Sequence, residues 1–175
     1  MADVLTWFIR FLHILAGVAW VGGAFFWIMI VAPRLLARGP PPIRRPVLEA
    51  LIGALPRYFI GSGSATIVLG IILLGQIAGW DKLISTFTSG AYGTALGIGL
   101  LLALIMLALG LWVITPTAKT MLATMQSVPP GAPPSPEIQA KLAGLGKRMG
   151  MAGIATITLG TLILGAMTWA VNTRL

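Results

Sequence analysis

The 175-residue chain contains no cysteine, which excludes disulfides, thiolate-held structural zinc and iron–sulfur clusters. Acidic side chains are nearly as scarce, Asp3, Glu49, Asp81 and Glu137 being all that occur. Each falls in or beside a connection between apolar runs, so no buried carboxylate is on hand as a general base and hydrolytic catalysis is not expected. Glycine is abundant, with 22 residues, but never in the strand–glycine–helix order that cradles a nucleotide. Histidine occurs once, as His13.

What is present is apolar. Hydrophobic residues make up 57% of the chain and charged ones only 9%, a balance that does not describe a soluble core. Four runs, over about residues 4–32, 58–79, 92–115 and 149–171, are long enough to cross a hydrocarbon layer of roughly 30 Å as helices. The expectation is an all-α polytopic membrane protein, a bundle of four transmembrane helices forming one membrane domain over residues 1–175. The first run is too long for a cleaved signal peptide and lacks a basic leader and a small-residue cleavage site.

The formal charge of +8 follows topology and does not suggest nucleic acid as a partner. Nine cations, Arg34, Arg38, Arg44, Arg45, Arg57, Lys119, Lys141, Lys147 and Arg148, flank the first and third connections, leaving Arg10, Lys82 and Arg174 for the other side. The positive-inside rule then puts both Pro-rich connections in the cytoplasm of a plasma (inner) membrane protein, and both termini outside. Pro33 is expected to halt or kink the first helix, Gly39 to Pro42 to form a stiff turn, and residues 46–55 to form a short amphipathic helix on the membrane surface through Leu48, Leu51, Ile52 and Leu55. After Pro116 the third helix is expected to continue as a cytoplasmic extension, and Ser135-Pro136-Glu137 reads as a capped helix start.

Residues 63–75 match residues 153–165 at eight of thirteen positions with a constant offset of 90. This suggests a duplicated two-helix unit, one copy over about 4–79 and the other over about 87–171, related by a pseudo-two-fold axis along the membrane normal. Gly63, Gly70, Gly153 and Gly160 are the small residues expected to let helices approach closely. Aligning Pro33 with Pro116 sets Leu96 against His13, Ala103 against Trp20 and Gly110 against Trp27, so the first run departs from its partner where its chemistry lies.

That chemistry is a stripe. In a helix Arg10, His13, Gly17, Trp20, Ala24 and Trp27 recur on one face. An ionisable side chain at membrane depth is costly and marks a functional site by default, the alternative being a neutral histidine that merely bonds a neighbouring helix. With Trp7, Trp80, Tyr92 and Trp169 as an outer aromatic belt, Arg10, His13, Gln76 and Met167 fall within about 9 Å below it at helical rise, forming a polar layer. A haem b suits that layer: His13 as axial metal ligand, Met167 or a second protomer's histidine as the other, Gly17 admitting the ring edge, Trp20 as a wall and Arg10 on a propionate. Copper is a second candidate, through Met29, Met121, Met125, Met149 and Met151, although methionine also fills gaps in packing. A quinone headgroup on His13 and Arg10 is a third.

Leu12-His13-Ile14, Trp20-Val21-Gly22-Gly23, a first run ending in Pro33-Arg34 and a third ending in Thr115-Pro116 resemble the small four-helix CopD-like membrane proteins. That superfamily is named for copper-resistance protein D and also includes HemJ-type protoporphyrinogen oxidases. The resemblance implies the four-helix fold, and it implies that His13 matches the family's first-helix histidine, a proposed haem or metal ligand. HemJ-type enzymes carry a lysine in the third helix; residues 92–115 here contain none. The reading from sequence is therefore a haem-binding redox or electron-transfer protein acting as a homodimer or as a subunit of a larger membrane complex. The alternatives are a cofactor-free accessory subunit and a copper-handling protein.

Overall fold

The computed structural model describes residues 2–34, 41–129 and 131–173, and side chains within them from residues 4–34, 46–129 and 131–173. Arg38 and Arg174, the side chains of Arg44 and Arg45, and most of the turn expected at 39–42 lie outside that description. Among the described residues every regular element is helical. Four helices are long and apolar enough to cross a membrane. We denote them α1 (Val4–Arg34), α2 (Pro41–Ala78), α4 (Gly90–Gln126) and α5 (Pro136–Asn172), with a short α3 (Leu83–Thr88) between α2 and α4.

Long apolar segments become helices here because a helix satisfies every backbone polar group within itself, as a lipid surround requires. Their ends are marked by the expected devices. The Ser135 hydroxyl caps α5 by accepting from the Ile138 N–H at 3.3 Å, with Pro136 in the first turn. Gly79, at φ 94°, ends α2 in a conformation that other residues rarely adopt. The segment after it, expected as a loop, is a 3-10 turn over Trp80–Lys82 followed by α3. Ser85, Thr86 and Thr88 bond back to carbonyls three or four residues earlier, which holds this short stretch in helical form.

Two sequence expectations about proline need correction. Pro33 does not halt α1, which runs through it to Arg34; the chain shifts into a π-helical turn over Trp27–Val31 just before the proline. Likewise a π-turn over Gly110–Ile114 precedes Pro116, and α4 continues to Gln126, the extension that was expected. A proline cannot donate to the preceding turn, and a local change of helical register absorbs that loss without a break. The second correction concerns residues 46–55. They are not a separate surface helix: α2 passes unbroken through Pro46 and Pro56. Leu48 and Ile52 are buried against Ala118 of α4, with Met121, Leu122, Met125 and Met149 packed around them. A stripe buried on a neighbouring helix keeps residues 46–55 within α2 where one on the membrane surface would have let the chain turn.

The tightest pairings are α1 with α2 and α4 with α5. Between the two pairs lies a central core of Trp20, Ala24, Ala103, Met106 and Ile163, with Ile28, Phe59 and Met167 packed on it. The four glycines expected to admit neighbouring helices all receive side chains from α1. A Cβ at Gly63 would lie 2.6 Å from the Trp20 ring and one at Gly70 2.9 Å from the His13 ring. At Gly153 it would sit 3.5 Å from Ile28, and at Gly160 3.1 Å from Val21.

Candidate functional site

His13 and Trp20 stand seven residues apart on α1, and Gly70 and Gly63 seven apart on α2. Two helical turns bring each pair back to nearly the same face, so antiparallel neighbours place both rings in both notches. The Trp20 ring fills its notch almost completely, at 3% exposure. The absence of a side chain at Gly70 lets the imidazole come close enough for its Nδ1 to lie 2.8 Å from the Thr66 carbonyl oxygen.

This hydrogen bond fixes the chemistry of the ring. A carbonyl oxygen only accepts, so Nδ1 carries the proton and donates; in the neutral ring Nε2 then holds a lone pair. Nε2 makes no hydrogen bond among the described residues, and no buried side-chain nitrogen or oxygen lacks a partner there. Nε2 is therefore not sealed off, and His13 lines a cavity of about 510 Å³, a volume within the usual range for small-molecule and cofactor pockets.

The cavity is apolar. Gly17, Trp20, Phe87, Tyr92, Leu96 and Met167 are among its lining residues. Ile14, Val18 and Leu164 line it as well and are exposed, so its open side lies on the seam between α1 and α5. On the opposite seam Leu73, Leu74, Phe87 and Leu96 close it. Trp20 forms a partition, since it also lines a second cavity of about 350 Å³ toward the other end of the bundle.

Of the residues singled out from sequence, the structure brings His13, Gly17, Trp20 and Met167 around one cavity. Met167 rests its side chain in the notch at Gly99. Arg10 and Gln76 are exposed and do not line that cavity. Gly17 is not a tight approach: a Cβ there would make an ordinary 3.6 Å contact with Thr66. The close approach is at Gly70, and the orienting acceptor is Thr66. Sequence reasoning noticed Gly70 only as a helix contact; its seven-residue spacing from Gly63, equal to that of His13 from Trp20, was the signal that could have joined them.

A further tie lies one turn below. Val18–Gly22 is a π-turn, and the Tyr58 hydroxyl donates to its Ala19 carbonyl at 2.9 Å while the Tyr58 ring lies over Gly23. Wide turns of this kind expose carbonyls that a regular helix would keep to itself, and they are frequent at functional sites. On the methionines, Met121, Met125 and Met149 gather around Leu48 and Ala118, whereas Met29 and Met151 are exposed. Among the described residues no group of three or more histidine and acidic side chains is placed to hold a metal ion.

Several positions that correspond in the two similar stretches of sequence line the His13 cavity together. His13 and Leu96, Gly17 and Leu100, and Trp20 and Ala103 all line it, as do Leu73 and Ile163, Leu74 and Leu164, and Ile77 and Met167. Comparison of the chain with protein-family models, with curated proteins and with solved structures gave no significant match.

Proposed function

We propose that this is an integral membrane haem-b-binding protein of the CopD-like kind, serving redox chemistry or electron transfer with His13 as axial ligand. The observation that carries the reading is the Nδ1 bond to the Thr66 carbonyl, which leaves Nε2 without a hydrogen bond among the described residues, on a histidine that lines the cavity. Histidines that ligate metals nearly always give their other N–H to a carbonyl or carboxylate, which fixes the tautomer and raises the basicity of the ligating nitrogen. The donor set suits a haem: an oriented imidazole, a thioether on the same cavity in Met167, and apolar walls that exclude water. A haem bound there supplies one-electron chemistry at its iron. Thr66 holds the imidazole in place, Gly70 makes room for it and Trp20 closes the cavity below. Arg10, exposed about one turn further out, is left to meet a propionate at the mouth. With no lysine in the third span, protoporphyrinogen oxidation is not part of the proposal.

The same reading takes the four helices as membrane spans and as a duplicated unit. The π-turns at 27–31 and 110–114 differ by the 83 residues that separate Pro33 from Pro116, and several corresponding positions line the His13 cavity. The cation distribution supports cytoplasmic Pro-rich connections in a plasma membrane. A homodimer or a larger complex is the setting in which a second histidine becomes available. One observation favours a different reading: the bond to Thr66 is also what a histidine used only for packing would make, so a cofactor-free accessory subunit is the alternative. Copper handling rests on the gathering of Met121, Met125 and Met149, and gap filling explains that equally well.

The absorption spectrum of the detergent-purified protein separates these readings. The haem reading expects a Soret band with reducible α and β bands, abolished in His13→Ala while the helical content stays that of the wild type. A colourless wild type would overturn it, and a His13→Ala variant defective only in stability would favour the accessory subunit. Arg10→Ala should keep its pigment.

A further inference from the structure

The second cavity, of about 350 Å³, lies beyond Trp20, which is the one residue it shares with the lining of the histidine cavity. Its walls include Trp27, Ile28, Leu48, Phe59, Met106 and Met149. The hydroxyls in its lining, Thr115 and Thr156, are both turned back onto their own helices, donating to the carbonyls of Gly110 at 2.7 Å and Ala152 at 2.8 Å. The other side-chain donors in the lining are the indole N–H groups of Trp20 and Trp27, and the rest is apolar, so what fills it favourably is largely hydrocarbon.

Its rim is different. Pro33 of α1 and Gly146 and Gly150 of α5 line the cavity and are exposed, which places a mouth on the α1–α5 seam. Arg34 directly follows the first of these, and Lys147 with Arg148 lies between the other two; all three cations are exposed. Arg34 spends one N–H on the Ile30 carbonyl of its own helix at 3.3 Å and keeps further donors. An apolar chamber with exposed cations next in sequence to the residues of its mouth is complementary to a molecule with a long hydrocarbon chain and an anionic head. Basic pockets between spans are where anionic lipid headgroups settle.

We propose that this cavity holds one acyl chain of an anionic phospholipid, with its phosphate at Arg34, Lys147 and Arg148. The site goes beyond the haem reading, resting only on the four helices being membrane-embedded. Bound lipid bridges α1 and α5 at the end of the bundle where side-chain contacts between the two helix pairs give way to the cavity.

Native mass spectrometry of the delipidated full-length protein, titrated with phosphatidylglycerol or with phosphatidylcholine of the same chains, tests this. One phosphatidylglycerol should bind in preference to phosphatidylcholine. Each cation neutralised by Arg34→Gln, Lys147→Gln or Arg148→Gln should lower phosphatidylglycerol affinity roughly fivefold at low salt, until the triple variant no longer tells the two lipids apart. A Cβ at Gly110 or Gly150 meets nothing within 4 Å, so Gly110→Leu and Gly150→Leu can narrow the chamber from opposite walls, and both lipids should then lose binding. Equal binding of the two lipids to the wild type, or full binding to both leucine variants, overturns the proposal. If a leucine variant loses its helical content, the charge series decides alone. His13→Ala should bind lipid as the wild type does, which keeps this test separate from that of the haem.

Discussion

The two halves of the molecule carry the same three glycines and use them differently. In α2, Gly63, Gly70 and Gly75 lie against the rings of Trp20, His13 and Trp80, each so close that a Cβ would come within 3.0 Å. In α5 the equivalent Gly153, Gly160 and Gly165 face Ile28 at 3.5 Å, Val21 at 3.1 Å and open space. Matching glycines thus serve differently: those of α2 are filled by planar rings, those of α5 by aliphatic side chains and one edge of Phe25 or by nothing within 4 Å. On the proposed function, the site lies where the two stretches differ.

That contrast can be broken most decisively at Gly63. Trp20 is almost fully buried and its ring already lies 2.6 Å from where the new Cβ would sit, so Gly63→Ala should destabilise the protein by about 1–3 kcal/mol, the range for overpacked interiors. Gly153→Ala makes only an ordinary contact with Ile28 and should be neutral, or stabilising by up to about 1 kcal/mol through helix propensity. Thermal unfolding of both variants in one detergent checks this. Equal midpoints would mean that the notches are equivalent after all and that the Trp20 partition is soft.

Gly70 sharpens the comparison further, because its neighbour is held by a single hydrogen bond and not by packing on every side. A Cβ there would approach His13 Cε1 at 2.9 Å and Nδ1 at 3.2 Å, pushing the ring away from the Thr66 carbonyl. Gly70→Ala should cost about 1 kcal/mol, the net worth of one such bond, and on the haem reading it should shift the Soret maximum as well. Gly160→Ala, which touches only aliphatic and aromatic edges of Val21 and Phe25, should leave any pigment unchanged. A Gly70→Ala spectrum identical to that of the wild type would separate His13 orientation from cofactor binding.

The sequence made the architecture readable and the site only partly so, for reasons that these residues show. Long apolar runs leave the backbone little choice but helix, and the cap at Ser135 is local chemistry, so both could be read from the chain. The halt considered at Pro33 and the separate surface helix read over 46–55 failed because proline's effect depends on what packs around it: a π-turn precedes Pro33, and the burial of Leu48 and Ile52 accompanies a helix that continues through Pro46 and Pro56. Helical periodicity set His13, Gly17 and Trp20 on one face and depth along the run added Met167, and the structure has all four line one cavity. The same periodicity put Arg10 on the stripe, but the cavity ends before reaching it. Thr66 escaped notice since its contribution is a backbone carbonyl, which every residue has and no side-chain pattern reveals.

The smallest expected effect lies at the two proline-linked π-turns, where the halves are most alike. In each, the residue after the turn donates its backbone N–H five residues back, Ala32 to Trp27 and Thr115 to Gly110. The second turn alone adds a side-chain bond, from the Thr115 hydroxyl to that same Gly110 carbonyl at 2.7 Å. The carbonyl is already satisfied by the backbone, so Thr115→Ala strands no acceptor and merely makes the second turn resemble the first. The loss should fall at the low end of what a hydrogen bond contributes, about 0.5 kcal/mol, since a hydroxyl bonded back onto its own helix adds little. Thermal unfolding of Thr115→Ala beside Ala32→Thr measures both directions of the exchange. Near-equal and opposite small shifts are expected if the turns are interchangeable. A loss above about 1.5 kcal/mol in Thr115→Ala alone would show that the second turn needs the hydroxyl to exist, and that the two prolines are absorbed by different means.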